Sequence, residues 1–583
     1  MAAALAHRGP DDLGIEVQGS VGLVHRRLAI VDPSPAGHGP MADASGRWWL
    51  TYNGEVFNHL DLRRDLSQVD WRGGSDTETV VEALARWGEA AVERCNGLFA
   101  LAALDRERGR LLLVRDRFGV KPLYVARHDG GILFASEIRT LLAAGIPRRA
   151  RPDVLEHAAA VGWANGRRTP VEGIDRVMPG TLVEIDLESL ATAERRWYDP
   201  LAAVDSERMA ALAPLDAARA ARPVGDALRG AVRRRLMADV PVGTMCSGGL
   251  DSSLITALAA EEGDVHAFNA RIVDQPEYDE GRWAAEVAAH AGVELHTVEM
   301  DAERWRGALV DVVGHVEYPL THESSVPMAE IARLARSRGV KVLLSGEGAD
   351  ELFGGYSWLH HHAFADFAAR GSRTGSAARR ALRALQRRGV LAGRAIPDPL
   401  PGPADDVNAH ERAEVERAIR AYAGHRGARG ELEGRLAADL ALYLPHLLNR
   451  QDKSTMMHSI ETRVPFLDPE VVALALNLPL EARVEPERKA PLRALARELL
   501  PRSVVERPKV GFGFELGAYL GDAVRPEFVL DGALREELQV PRARWEAELA
   551  ELVAHLGVVT GEIWMRTVLG DQAPAAVMHD LWR

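Results

Sequence analysis

The sequence predicts two domains, an antiparallel α+β sandwich followed by an α/β domain with a mainly parallel sheet. With 583 residues, the chain is several times longer than a typical domain of ~100 to 200 residues. Residues 48–141 alternate short apolar runs with turn sequences, a pattern typical of antiparallel hairpins. From about residue 223 onward, apolar runs alternate with long helical segments, which indicates a buried parallel sheet with right-handed crossovers.

The predicted hairpins of the first domain consist of apolar runs on either side of a polar turn. They are 98–104 and 111–114 around the turn 105–109, and 123–126 and 132–135 around the turn 128–131. Residues 187–222 are rich in alanine and are predicted to be helical or irregular. We therefore place the domain boundary near residue 205, with domains at 1–204 and 205–583.

The second domain is predicted to contain four buried strands and a series of helices. The strands are expected at 240–246, 265–272, 293–298 and 340–344, and one of the helices at 280–291. Residues 370–394 are crowded with arginine and alanine and lead into a proline-rich stretch at 397–403. We interpret these segments as a solvated helical insertion and its linker, with a basic docking surface as the alternative.

Composition and charge exclude several classes of protein. Hydrophobic residues make up 47% of the chain and charged residues 27%, as in globular proteins rather than disordered ones. The formal net charge of -13 opposes binding to nucleic acid and to anionic membranes, so we expect neither as a partner. No apolar run reaches the ~20 residues of a membrane helix. Two cysteines, Cys95 and Cys246, cannot form a disulfide framework, which suits the reducing cytoplasm.

A glycine-rich turn with the sequence SGGLDSS, at 247–253, joins a predicted strand to a helix at 254–260. Backbone N–H groups and the helix N-terminus converge there, and the glycines let the backbone approach a phosphate closely. It is not a Walker loop, because neither GxxxxGKS nor GxxxxGKT occurs in the chain. The turn is therefore either an anion cradle of another kind or simply a tight connection.

A second turn, SGEGADE at 345–351, also follows a predicted strand. Because the carboxyl ends of parallel strands can meet at one edge of a sheet, we expect both turns to face the same ligand. Asp251 and Asp350 would then offer oxygen ligands to a Mg²⁺ ion that bridges the phosphates of ATP.

Several longer motifs resemble glutamine-hydrolysing asparagine synthetases. Those similar to the family's synthetase domain are SGGLDSS (247–253), SGEGADELFGGY (345–356), DKSTMMHSIETRVPFLD (452–468), KAPLR (489–493) and RPKVGFG (507–513). Those similar to its glutaminase domain are HRGPDD (7–12), HRRLAIVD (25–32), YNGEVFNH (52–59), SDTE (75–78) and RDRFGVKPLY (115–124). The resemblance implies an Ntn-hydrolase-like class II glutaminase fold followed by a PP-loop ATP pyrophosphatase fold, joined by an ammonia channel.

The resemblance also implies roles for residues of the first domain. Arg27 and Asp76, with Glu55 beside them, match the residues that hold the carboxylate and amino groups of glutamine. Asn53 and the N–H of Gly54 match the oxyanion hole. These residue types suit the task, because a guanidinium pairs with a carboxylate, acids pair with an ammonium, and paired donors stabilise an oxyanion.

The family's nucleophile has no counterpart among the first residues of this sequence. It is a cysteine at the processed N-terminus whose own α-amine is the base, whereas position 2 here is alanine. Residues 1–5 match an internal helix of the family, so the cysteine is expected upstream of Met1, or else the glutaminase is lost and free ammonia is the donor. We expect Cys95 and Cys246 to be buried and structural. The chain as given should therefore use ammonium salts but not glutamine.

In the second domain, the resemblance assigns ATP, Mg²⁺ and catalytic roles. Predicted ATP-binding residues are Ser247, Gly248, Gly249, Asp251, Ser252, Ser345 and Gly346, and Asp251 and Asp350 are the predicted metal ligands. Lys489 resembles the lysine that neutralises pyrophosphate and the acyl-adenylate. Glu347 resembles the glutamate that removes a proton when ammonia attacks, a role that a tyrosine takes in the related β-lactam synthetases.

These observations predict an AMP-forming ligase that amidates a small-molecule carboxylate with nitrogen from glutamine or ammonia. Aspartate is the leading acceptor. Residues 317–325, however, differ from the DEPFADPSA sequence that is common in the family, and this difference makes other acceptors plausible. Three alternatives remain open: a specialised-metabolite or peptide carboxylate as acceptor, a β-lactam-synthetase-like cyclase, and a nucleotide-binding regulatory pseudoenzyme. A homodimer is a further expectation.

Overall fold

The computed structural model describes residues 1–161, 166–356, 405–426, 430–507, 513–549, 553 and 555–583. Three segments lie outside the described residues: the predicted insertion at 370–394, its linker at 397–403, and residues 508–512 of the RPKVGFG motif. Within the described part of the chain, no helix combines the length and the apolar character needed to span a membrane.

The first part of the chain forms antiparallel sheets, as predicted. Its strands are β1 Asp12–Gln18, β2 Val21–Arg27, β3 Met41–Ala42, β4 Trp48–Val56, β5 Gly97–Asp105, β6 Arg110–Arg115, β7 Tyr124–His128, β8 Gly131–Ala135, β9 Ile174–Arg176, β10 Thr181–Asp186 and β11 Thr192–Arg196. The six-stranded sheet has the order β11-β10-β6-β5-β4-β3, beside a sheet β8-β7-β9 and the hairpin β1-β2. Both predicted hairpins are present, as β5-β6 and β7-β8.

One prediction for this region is wrong. Residues 187–222 were expected to be helical or irregular, yet β11 (Thr192–Arg196) is a strand that pairs with β10 along its whole length. The strand lies at the edge of the sheet, and all five of its residues are exposed. An edge strand that buries no side chain needs no apolar alternation, so its sequence carries no strand pattern.

Short helices cover the sheets of the first part. The helices are His59–Asp65, Asp76–Trp87, Ala90–Arg94, Ile138–Leu142 and Pro152–Val161, with 3₁₀ turns at Ala3–Leu5, Pro35–Gly37 and Pro200–Ala203. Helix Asp76–Trp87 begins at the N-cap Ser75, whose hydroxyl accepts a hydrogen bond from the N–H of Glu78 at 3.3 Å. This cap holds Asp76 at the start of a helix whose apolar face packs on β4.

The second part contains a five-stranded parallel sheet with the order β14-β13-β12-β15-β16. Its strands are β12 Val242–Met245, β13 His266–Ile272, β14 Glu294–Met300, β15 Val342–Leu344 and β16 Glu461–Arg463. The first four are the predicted ones. β16 was not predicted because it is a short run of polar residues, Glu-Thr-Arg, that are buried by ion pairs rather than by apolar contacts.

Helices surround this sheet, and further helices follow it almost to the end of the sequence. They are Ser206–Leu212, Ala217–Arg235, Leu250–Glu262, Gly281–Ala291, Ala302–Val316, Ser325–Ser337, Ala349–Phe353, Asp405–Arg426, Gly430–Ala438, Leu444–Met456, Pro469–Asn477, Leu480–Val484, Ala490–Leu499, Arg502–Val505, Leu516–Leu520, Pro526–Leu530, Ala533–Glu537, Arg542–Ala547, Leu556–Trp564 and Pro574–Leu581, with 3₁₀ turns at Pro465–Leu467 and Gly521–Ala523 and a π-helix at Met565–Leu569. The domain boundary near residue 204 stays a prediction.

Buried ion pairs join the two parts. Asp452 accepts hydrogen bonds from Arg8 at 2.6 Å and from Lys121 at 3.1 Å, and all three side chains are buried. Glu317 accepts from the backbone N–H of Ile138 at 2.8 Å and also pairs with a lysine of its own domain. An uncompensated buried charge costs several kcal/mol, so these pairs favour one docking of the two sheets.

Candidate active site

Two loops meet at the carboxyl edge of the parallel sheet. β12 and β15 are neighbours, with Thr244 opposite Leu344, so the loops that follow them begin side by side. The expected convergence of the two turns is therefore observed, and both line one cavity of about 370 Å³. The lining residues include Ser247, Gly249, Asp251, Ser252, Ser345, Gly346, Glu347, Asp350 and Lys489.

Hydroxyl groups hold the first loop in shape. The Ser247 hydroxyl accepts a hydrogen bond from the N–H of Gly249 at 3.2 Å and lies 2.9 Å from the Ser252 hydroxyl. Helix Leu250–Glu262 begins within this loop, so its N-terminal N–H groups favour an anion in the cavity. Gly248 adopts a φ of 74°, and a Cβ there would lie 2.6 Å from the backbone nitrogen of Ala284. Its role is to let the loop pass close to a neighbouring helix.

The two predicted metal ligands face the same lysine. The Lys489 ammonium lies 2.5 Å from Asp251 Oδ2 and 2.7 Å from Asp350 Oδ1. Burial lowers the pKa of Lys489, but the two carboxylates outweigh burial and hold the pKa above its ordinary value. The lysine is therefore charged, and the set of two carboxylates and one cation fits both Mg²⁺ and a triphosphate.

Glycines allow this close packing. A Cβ on Gly355 would lie 1.7 Å from Asp350 Oδ1 and 2.2 Å from Lys489 Cε, and a Cβ on Gly346 would lie 2.9 Å from Asp251 Cβ. Any side chain at these positions would push apart the groups that the site brings together.

Glu347 lies beside an arginine that the sequence analysis did not single out. Arg450 donates one hydrogen bond to Glu347 at 3.4 Å and another to the Ser324 hydroxyl at 2.8 Å. Burial raises the pKa of Glu347; Arg450 opposes this shift, and Asp350 adds to it. No local pattern singles out Arg450, because its helix Leu444–Met456 is largely polar and its partners lie more than 100 residues away in the chain.

The divergent segment 317–325 reaches both the domain interface and this arginine. Its first residue, Glu317, is fully buried and forms an ion pair with Lys453. Near its other end, Ser324 contacts Arg450, and His322 Nε2 lies 2.8 Å from the Tyr443 hydroxyl. The segment thus contacts Glu347 indirectly, through Arg450.

A second cavity, of about 770 Å³, lies in the first part of the chain. Its lining includes the five predicted glutamine-binding residues, which are Arg27, Asn53, Gly54, Glu55 and Asp76. Arg27 donates to the carbonyl of Ser34 at 2.9 Å, and Asn53 donates to the Ser136 hydroxyl at 3.3 Å. Gly54 has a φ of 149°, and a Cβ there would lie 2.1 Å from the carbonyl oxygen of Leu98. The strand pairing of β4 with β5 therefore requires glycine at this position.

The two acids of this cavity are held differently. Asp76 accepts hydrogen bonds from the Tyr52 hydroxyl at 2.8 Å and from the N–H of Val56 at 2.9 Å. Glu55 instead pairs with Arg463 of β16 at 3.3 Å, across the domain interface. Burial raises the pKa of both acids.

Both cysteines are buried, as expected. Burial raises the pKa of Cys95 to about 12 and also raises the pKa of Cys246. Cys95 packs in the apolar core beside the six-stranded sheet, and Cys246 is one of the residues that line the 370 Å³ cavity. Neither lines the 770 Å³ cavity, so neither thiol is available to a substrate there.

Comparison with known proteins identifies the family. Residues 1–198 match the glutamine amidotransferase domain family, and residues 223–551 match the asparagine synthase family. The chain belongs to the asparagine synthase family. A Mycobacterium tuberculosis protein assigned as a glutamine-hydrolyzing asparagine synthetase is 30% identical over 87% of this chain and 82% of its own length. Glutamine-hydrolyzing asparagine synthetase 1 of Bacillus subtilis is 27% identical over 88% of this chain and 83% of its own length.

Family membership agrees with the chemistry of the site. As a member of the asparagine synthase family, the chain is an ATP-dependent carbon–nitrogen ligase, as the sequence predicts. Asp251, Asp350, Lys489 and residues of both glycine-rich turns, whose chemistry suits such a reaction, line the 370 Å³ cavity. The comparisons thus favour an amidating ligase over the cyclase and the regulatory pseudoenzyme.

The variant Gly355→Ala tests whether the close contact of Asp350 with Lys489 matters. Its Cβ would lie 1.7 Å from Asp350 Oδ1 and 2.2 Å from Lys489 Cε, so both side chains must move. We therefore expect AMP-forming turnover to fall at least about 100-fold while the fold is retained. Pyrophosphate release measures turnover, and circular dichroism measures the fold. The control is Gly307→Ala, on an exposed helical face with nothing within 4 Å of the new Cβ, which should keep full activity. Equal activity of the two variants would contradict this account.

Proposed function

We propose that this chain converts aspartate to asparagine through an acyl-adenylate formed in the 370 Å³ cavity. The observation that carries this proposal is that Asp251, Asp350 and Lys489 line one cavity together with Glu347, which pairs with Arg450. One group of side chains suits phosphate and metal, and the other suits a carboxylate and a proton transfer. The names of the relatives support aspartate as the acceptor.

The first step forms the adenylate. An acceptor carboxylate oxygen attacks the α-phosphorus of ATP, and the bond from that phosphorus to the pyrophosphate oxygen breaks. Ser247, Ser252 and the N–H groups of their loop hold the phosphates, and Lys489 offsets the charge on the leaving pyrophosphate. Mg²⁺, held by Asp251 and Asp350, would supply further charge compensation on the triphosphate.

The second step forms the amide. Ammonia nitrogen attacks the acyl carbon, Glu347 accepts a proton from it, and the carbon–oxygen bond to AMP breaks. The raised pKa of Glu347 makes its carboxylate a stronger base than that of an ordinary glutamate. Arg450 positions this carboxylate, and its guanidinium attracts the negatively charged acceptor.

In the other cavity, we propose that Arg27, Asp76 and Glu55 bind the carboxylate and amino groups of glutamine. Asn53 and the N–H of Gly54 would form the oxyanion hole. All five residues line the same 770 Å³ space, and this supports a common ligand. Cytoplasmic location and a homodimer are further proposals, supported by composition and by resemblance.

The adenylation proposal is tested by identifying the reaction products and by replacing the side chains of Asp251 and Asp350. We expect aspartate-dependent release of pyrophosphate and AMP, and no turnover in Asp251→Asn or Asp350→Asn, because each removes a carboxylate from the triphosphate site. The control is the exposed Asp264→Asn, which should behave as the parent chain. Formation of ADP and phosphate, or normal turnover in both site variants, would refute the proposal.

Glu347→Gln separates the two half-reactions. The amide side chain keeps the shape but cannot accept a proton, so single-turnover pyrophosphate release should persist while asparagine formation falls by about 10² to 10⁴. At a constant concentration of unprotonated ammonia, asparagine formation by the parent chain should increase as pH rises through the raised pKa of Glu347, because only the carboxylate is a base. This increase should be absent in the variant. Equal loss of both half-reactions would reassign Glu347 to ATP or metal binding.

The nitrogen source tests the state of the 770 Å³ cavity. The 583-residue chain should form asparagine with ammonium salts but not with glutamine, because both of its thiols are buried and protonated. Arg27→Ala should leave the ammonium-dependent rate unchanged, which separates this cavity from the ligase site. Release of glutamate in step with AMP would show a nucleophile outside this description.

A further inference from the structure

Four side chains meet on one face of the parallel sheet, near the starts of the edge strand β14 and of its neighbour β13. In the register of β13 and β14, His266 lies opposite Glu294 and Phe268 lies opposite His296. Residues two apart on a strand share a face, so two imidazoles and one carboxylate are neighbours there. These residues lie at the amino edge of the sheet, whereas the ATP-site loops follow the carboxyl ends of its strands.

The distances between these groups match those within a metal site. His266 Nδ1 lies 3.2 Å from His296 Nε2 and 3.9 Å from Glu294 Oε2. Ligand atoms in a tetrahedral zinc site, each ~2.1 Å from the ion, are about 3.4 Å apart. Among the described residues, this is the one group of three histidine, cysteine or acidic side chains close enough to share an ion.

We propose that His266, Glu294 and His296 bind a divalent transition-metal ion of the zinc class. Two imidazoles and a carboxylate favour Zn²⁺, Co²⁺ or Ni²⁺ over Mg²⁺, which prefers oxygen ligands. The site lies apart from the proposed ligase chemistry and does not depend on it.

Exposure and charge suit such a site. The His296 side chain is only 6% exposed, while that of Glu294 is 66% exposed, so an ion would have a fixed ligand beneath it and access from solvent. The Glu294 carboxylate lies within 4 Å of both imidazoles, so it brings a negative charge to the place where a cation would bind.

One residue, Phe268, contacts the proposed metal site and also lines the 370 Å³ cavity. The His296 ring stacks on Phe268, with ring centroids 5.0 Å apart and planes at 30°. Phe268 in turn lines the 370 Å³ cavity. Metal binding would fix the orientation of the His296 ring, and we therefore assign the ion a structural role beneath this cavity wall.

Zinc titration of the full chain tests this proposal directly. The chelator-treated protein is titrated with Zn²⁺ against a chromogenic chelator, in excess Mg²⁺ so that the acids of the ATP site are occupied. We expect one tightly held Zn²⁺ per chain and a higher melting temperature with zinc. Glu294→Gln, at an exposed position, should weaken zinc binding at least about tenfold, and the double variant His266→Ala/Glu294→Gln should abolish it.

Matched controls and Co²⁺ keep the test decisive. His290→Ala removes an exposed imidazole from a neighbouring helix, and Glu299→Gln removes an exposed carboxylate from β14; both should keep full zinc binding. Co²⁺ added to the parent chain should give visible absorption typical of a nitrogen-containing site, and the double variant should lose it. No zinc bound by the parent, or unchanged stoichiometry in the double variant, would overturn the proposal and leave the 3.2 Å contact as a hydrogen bond between imidazoles.

Discussion

Charge compensation along one buried helix connects the interface between the two parts of the chain to the proposed ligase site. Helix Leu444–Met456 carries seven consecutive buried polar residues, at 449–455, and each of the first five has a partner elsewhere in the chain. The pairs are Asn449 with Tyr124, Arg450 with Glu347 and Ser324, Gln451 with Ser345, Asp452 with Arg8 and Lys121, and Lys453 with Glu317. Since a buried charge without a partner is strongly destabilising, neither the interface nor the site can shift alone. The helix therefore sets the position of both.

Much of this arrangement could be predicted from the sequence, because the glycine-rich turns and the strands before them are local signals. The convergence of Asp251 with Asp350 follows from adjacent parallel strands, and the five predicted residues that line the 770 Å³ cavity come from short motifs. Other features depend on tertiary pairing, which no local pattern encodes. β16 is a strand of polar residues stabilised by ion pairs, β11 is an exposed edge strand, and Arg450 is placed by partners more than 100 residues away.

One residue contacts the walls of both cavities. Arg463 pairs with Glu55 in the 770 Å³ cavity, while its carbonyl oxygen accepts a hydrogen bond from the N–H of Ser345 at 2.9 Å, in the second glycine-rich turn. Its guanidinium also donates to the carbonyls of Arg235 and Met237, at 2.7 and 2.6 Å, so its position is fixed from several sides. The two cavities are thus parts of one hydrogen-bonded framework.

The apolar core also crosses from one part of the chain to the other. A single cluster contains Leu98 and Phe118 from the first part together with Val224 and Leu228 from the second. If the two halves were produced as separate polypeptides, each would expose the apolar surface that it buries against the other half. The second half would also carry the buried Asp452 without Arg8 or Lys121, its two positively charged partners. Such fragments would be prone to aggregation, so the two halves are expected to be inherited, expressed and engineered as a single unit.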